Sequence, residues 1–97
     1  MQKDFYVYML ASKKNGTIYK GMTSDLIKRI WQHKEEGGSK FTSSYNVKRL
    51  VWYKHCETQD NAVVWEKRLR RYTRQWKINL IEEMNPEWND LYEKLCK

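Results

Sequence analysis

The chain has 97 residues, with 19 Lys and Arg against 12 Asp and Glu and a net charge of +7 at neutral pH. That length fits one domain, residues 1–97, and excludes two independent cores, while five Trp, seven Tyr and two Phe carry enough apolar bulk to exclude a disordered chain. No apolar run approaches the roughly 18 residues of a membrane span, residues 1–4 lead into strand-like sequence rather than a signal-peptide core, and the basic balance implies a polyanionic partner, nucleic acid foremost; the expectation is a cytoplasmic protein without a membrane partner.

In chain order, residues 5–12 and 17–23 are rich in aromatic and β-branched types and flank Lys13-Lys14-Asn15-Gly16, which predicts a β-hairpin. Thr23 or Ser24 can cap a helix running to about Glu36, with Asp25 in its first turn and Gly37-Gly38 ending it. Its buried side is read as Leu26, Ile27 and Ile30, whereas Asp25, Arg29, His33 and Glu36 follow one another at spacings of 4, 4 and 3 on a second stripe. Residues 39–46 read as a loop, and Val47 to His55 as a third strand. Thr58 can cap a second helix to about Arg74, in which Ala62, Trp65, Leu69, Tyr72 and Trp76 keep the 3, 4, 3, 4 spacing of one buried face. A segment from Lys77 to Met84 continues it with a bend, and Asn85-Pro86 predicts a last short helix over about 86–95. The order β-β-α-β-α-α makes a small α+β domain.

Alternation along the strands decides where side chains point. A turn of even length puts Tyr6, Tyr8 and Leu10 on one face with Tyr19, Gly21 and Thr23, and leaves Phe5, Val7, Met9, Ala11, Ile18 and Met22 on the other. With a four-residue turn Tyr8 faces Gly21 and lies diagonal to Tyr19, at about 7–8 Å between backbones, so that two phenols converge over a missing side chain.

Charge is unevenly placed: net +10 over residues 1–77 and net −3 over 78–97. Lys67, Arg68, Arg70, Arg71, Arg74 and Lys77 follow one acid, Glu66, along the second helix, and are read as phosphate contacts. The loop Lys40-Phe41-Thr42-Ser43-Ser44-Tyr45 mixes a cation, hydroxyls and aromatics suited to holding a nucleic-acid backbone or stacking a base. Cys56 and Cys96, with His33 and His55, show neither zinc spacing nor a disulfide framework, so both thiols are read as free.

Tyr6-Val7-Tyr8, then Tyr19-Lys20-Gly21, Arg29, His33 and Glu66 in that order resemble the GIY-YIG nuclease domain, and the match spans nearly the whole chain. Thr23 to Arg29, and Trp76-Lys77-Ile78 through Glu82 to Trp88, look like its small stand-alone bacterial members. The resemblance implies a three-stranded antiparallel sheet flanked by helices. It also implies phosphodiester hydrolysis of DNA in repair or recombination, with one divalent metal and 5′-phosphate products. Tyr8 and Tyr19 would orient and deprotonate water, the base being either of them. Arg29 would neutralise the scissile phosphate, His33 would hydrogen-bond a tyrosine or the water, Glu66 would hold Mg²⁺ or Mn²⁺, and Gly21 would keep the pocket open. A fixed guanidinium and a hard cation are the stabilisers such a transition state needs. Two departures stand out: Tyr6 replaces the first motif's glycine, and Lys20 replaces the apolar middle residue of the second.

Taken singly, these residues have ordinary readings: the tyrosines as half-buried strand aromatics, Glu66 as a helix ion-pair partner of Arg70. The alternatives to a nuclease are a nucleic-acid-binding module without catalysis and an interaction protein whose basic face docks an acidic partner. With no base-reading motif, target selectivity would come from nucleic-acid structure or from a protein partner.

Overall fold

The computed structural model describes residues 4–35 and 46–96, in the order β1 (Phe5–Ala11), β2 (Ile18–Thr23), α1 (Leu26–Glu35), β3 (Arg49–Cys56), α2 (Gln59–Arg71), α3 (Arg74–Met84) and α4 (Tyr92–Leu95). The hairpin turn follows from Asn15, which takes a left-handed φ of 61°, a conformation asparagine tolerates better than most residues. Gly16 N–H donates to Lys13 O at 2.9 Å and Ser12 N–H to Thr17 O at 3.0 Å, which closes a four-residue loop. That loop fixes the pairing Tyr8↔Gly21, Met9↔Lys20 and Leu10↔Tyr19. β1 lies between β2 and β3, antiparallel to both. A bulge opposite Met9 and Leu10 leaves Val51 as the extra residue on β3.

The two faces bury two separate clusters. Val7, Met9 and Ala11 pack with Val51, Trp52 and Cys56 against Ala62 and Leu69 of α2, Ile81 of α3, and Trp88. On the other face Tyr8, Leu10 and Leu50 pack against Leu26 and Ile30 of α1, with Tyr19, Tyr53, Leu91 and Tyr92 around them. Helices therefore cover both sides of the sheet. Cys56 is buried and Cys96 exposed, and both thiols are free. Among the described residues, no helix is long and apolar enough to cross a membrane.

Four expectations need correction. Asp25 caps α1 rather than entering it, its Oδ1 accepting from Lys28 N–H at 3.2 Å. On α1, Ile27 is 43% exposed while His33 is fully buried, so the inward face runs Leu26, Ile30, His33. The second helix stops at Arg71 because Tyr72 is extended (ψ 140°), and Thr73 caps a new helix through Trp76 N–H. Trp76, counted as core by unbroken periodicity, is consequently 58% exposed.

The helix expected over 86–95 is confined to Tyr92–Leu95. Asn85 prevents an earlier start: its Nδ2 donates to Val51 O at 3.1 Å and Asn89 O at 2.8 Å, and its Oδ1 accepts from Asn89 N–H at 3.1 Å. The chain then turns through Trp88, which is fully buried at a left-handed φ of 56°. Trp88 Nε1 donates to Glu82 at 2.9 Å. Asp90 accepts from Leu50 N–H at 3.2 Å and pairs with Lys34, while Leu91 N–H donates to Leu50 O at 2.8 Å. This segment joins the outer edge of β3 to the end of α1.

Candidate active site

The pairing of β1 with β2 builds the floor of the site. Tyr8, 1% exposed on the central strand, lies opposite Gly21. A Cβ at position 21 would stand 2.6 Å from the Tyr8 hydroxyl and 2.7 Å from Cζ. The phenol thus occupies the space that any other residue would fill, which is the physical requirement for glycine here.

α1 supplies the wall. Its third inward residue, His33, brings Nε2 to 3.1 Å from Tyr8 Oη, and its ring lies 5.8 Å from that of Tyr8 and 5.4 Å from that of Tyr19. Burial, reinforced by the positive charge of Arg29, pushes the His33 imidazole down to about 4, so it is neutral at pH 7. In the tautomer protonated at Nδ1, the Tyr8 phenol donates to Nε2. Burial raises the Tyr8 pKa; the hydrogen bond and charge of Arg29 oppose this, and nearby Tyr19 adds to it. Tyr8 is therefore a neutral phenol at pH 7. Arg29 is steadied by Gln32, whose Oε1 accepts from Nη1 at 3.1 Å. Sequence reasoning missed Gln32, although its position three residues after Arg29 on the same helix was the available signal.

The titration of His33 has a measurable consequence for stability. Its folded pKa lies below the unfolded value of 6.5, so below pH 6.5 the unfolded chain binds the extra proton and is favoured. Unfolding free energy should fall as pH drops from about 6.5 to about 4, by about 3 kcal/mol in all. Urea titrations of the wild type and of His33→Gln across that window check this, the variant losing that component of the slope.

Tyr8, Tyr19, Gly21, Arg29 and His33 thus come together. Glu66 projects from α2, which packs on β2 and β1; its side chain is 13% exposed, and Oε1 accepts from Arg70 Nε at 2.8 Å. Among the described residues, no three His, Cys, Asp or Glu converge as a metal cage. One hard carboxylate fits a cation that keeps most of its waters and shares the substrate's phosphate oxygens, as Mg²⁺ does.

The cations fall into groups that the linear run concealed. Lys67, Arg68 and Arg71 line one side of α2 beside exposed Val64, and Arg68 and Lys54 lie over the Trp65 ring at 5.3 and 5.0 Å. Arg70 is paired with Glu66, and Arg74 donates to Asn15 O and Gly16 O of the hairpin turn, each at 2.7 Å. Burial, with the charges of Lys20 and Arg74, lowers the Lys77 pKa. Lys20, on the apolar sheet face by register, thus sits with its charge near Lys77 at the β2 edge. Lys40 lies outside the described residues.

Comparison with known proteins agrees with this fold. Residues 4–79 match the GIY-YIG catalytic domain. A UPF0213 protein of Bacillus pumilus is 30% identical over 97 residues, covering 100% of this chain and 99% of that one. Another, of Staphylococcus saprophyticus, is 32% identical over 78 residues, covering 80% and 94%. The solution NMR structure of a UPF0213 protein from Bacillus halodurans superposes with a TM-score of 0.57 at 28% identity, covering 93% of this chain and 95% of that one. With the three-stranded antiparallel sheet and the paired tyrosine motifs in place, the chain belongs to the GIY-YIG nuclease family.

Proposed function

We propose that this chain is a divalent-metal-dependent endonuclease that hydrolyses DNA phosphodiester bonds, working in the cytoplasm in repair or recombination, with selectivity set by DNA structure or by a partner protein. The observation that supports it most is the convergence of Tyr8, Tyr19, His33 and Arg29 over Gly21. A phenol is a weak base on its own. Paired with a neutral imidazole 3.1 Å away, Tyr8 can take a proton from water at Oη while passing its own to His33 Nε2, and Tyr19 orients the same water. The Arg29 guanidinium matches phosphate oxygens and opposes charge building on them. Glu66 would hold Mg²⁺ or Mn²⁺, which supplies charge neutralisation at the phosphate. The exposed cations of α2, Lys67, Arg68 and Arg71, with Lys40, would carry backbone contacts.

The Glu66–Arg70 ion pair favours a second reading, a nucleic-acid-binding module without catalysis. Incubating supercoiled plasmid, branched DNA and RNA with the protein in Mg²⁺, in Mn²⁺ and in chelator separates the two. Metal-dependent nicking that leaves 5′-phosphate ends is expected. Salt-sensitive binding without cleavage of any substrate would favour the binding module.

A further inference from the structure

Two residues before Tyr8 on β1, about 6–7 Å along the strand, the same sheet face opens into a cleft of about 720 Å³. Its floor is aromatic. Tyr6 pairs with His55 across the strands and Tyr8 with Tyr53; the Tyr6 ring lies 5.3 Å from that of His55 and 6.5 Å from that of Tyr53, at interplanar angles of 61° and 62°. Rings at these distances and angles pack edge to face, and Tyr6, Tyr53 and His55 all line the cleft. The start of α1 (Leu26 and Ile27) and Leu95 of α4 complete it with apolar surface. Ile27, 43% exposed, is an apolar side chain with little to cover it on this side.

The charge of the cleft is opposite to that of the chain. Among the described residues no Lys or Arg lines it, although the protein carries a net +7. Two carboxylates do, Asp4 and Asp25, each held by one oxygen: Asp4 Oδ1 lies 2.7 Å from His55 Nε2, and Asp25 Oδ1 accepts from Lys28 N–H at 3.2 Å. Among the described residues neither second oxygen has a partner. Aromatic walls with two carboxylates repel phosphate and suit an uncharged, flat, N–H-bearing ring, which is the chemistry of a nucleobase.

We propose that this cleft is a nucleobase subsite that takes one unpaired base beside the reacting phosphate, so that the preferred substrate presents a single-stranded or displaced nucleotide there. The position of that phosphate rests on the nuclease reading above; the base-binding chemistry does not. A base within a duplex is stacked on both faces and paired along one edge, and cannot enter a cleft whole. The division of labour is spatial: Arg29 faces the phosphate, and the Tyr6, Tyr53 and His55 walls, one strand pair further along, face its neighbour.

The test is a binding cycle in chelator, where no cleavage intervenes. Fluorescence anisotropy of a labelled tetranucleotide is compared with that of its abasic counterpart of equal charge, for the wild type, Tyr6→Phe and Tyr6→Leu. The wild type and Tyr6→Phe are expected to bind the base-bearing strand about tenfold more tightly than the abasic one, and Tyr6→Leu is expected to lose that difference while binding the abasic strand unchanged. Equal wild-type affinity for the two strands overturns the subsite, and that comparison needs no variant to fold. Equal weakening of both strands by Tyr6→Leu overturns it as well. Cleavage in Mg²⁺ is scored separately: failure to cut any nucleic acid sinks the nuclease reading, while the binding cycle decides the cleft on its own.

Discussion

Glu66→Ala is expected to reduce metal-dependent cleavage about 10³-fold or more without weakening nucleic-acid binding in chelator. The magnitude follows from losing the several kcal/mol of transition-state stabilisation that a bound cation provides. The variant separates chemistry from folding, because the Arg70 pair it removes is an i,i+4 helix pair, 65% exposed on the Arg70 side and 13% on the Glu66 side, and i,i+4 helix pairs contribute only about 0.3–0.5 kcal/mol. Binding should tighten slightly, since the change frees the Arg70 guanidinium and deletes a negative charge from a cationic helix. Plasmid nicking rates and anisotropy titrations at several salt concentrations measure both quantities. Wild-type cleavage by the variant would reduce Glu66 to an ordinary helix partner of Arg70.

The second large effect is expected at Gly21→Ala. The added methyl would stand 2.6 Å from Tyr8 Oη and 2.7 Å from Cζ, and Tyr8 has nowhere to withdraw because it is 1% exposed and held against His33. Overpacking of this kind costs about 1–3 kcal/mol of stability. The larger loss falls on the reaction: shifting the phenol by even part of an ångström breaks its alignment with His33 and Arg29, and misplacement of about 1 Å costs on the order of 10²-fold in rate. The urea midpoint and nicking rate should therefore fall together, whereas Glu66→Ala changes only the rate. Unchanged activity in Gly21→Ala would mean that the Tyr8 hydroxyl is not part of the reacting geometry.

Much of this arrangement was legible in the chain itself. Asn15-Gly16 set the turn, and strand alternation placed Tyr8, Tyr19 and Gly21 on one face in the register that the structure has. What stayed hidden depended on contacts between distant segments. Periodicity runs through Tyr72 and Thr73 without interruption, so nothing local reveals that the helix stops and restarts there, turning Trp76 outward. Pro86 marks a helix start in isolation, but the hydrogen bonds of Asn85 to Val51 and Asn89 take precedence. The burial of His33 is masked by its polarity: it follows Leu26 and Ile30 at spacings of 4 and 3, yet the apolar Ile27 reads onto that face in its place. The Tyr6 cleft was not legible because its carboxylates and aromatics come from three separate stretches of the chain.

The tie between Leu50 and the segment around Asp90 has a consequence for how the chain survives its own synthesis. β3 is an outer strand of the sheet, and the free backbone groups of an outer strand are a template for pairing with other chains. The amide and carbonyl of Leu50 are both taken, by Asp90 and by Leu91, partners some 40 residues further on. Until those residues leave the ribosome, Leu50 is an open edge beside a largely formed apolar core. The last turn of the fold is thus a guard against self-association, and a nascent or clipped chain that stops before Asp90 is exposed to aggregation while still holding both tyrosine motifs.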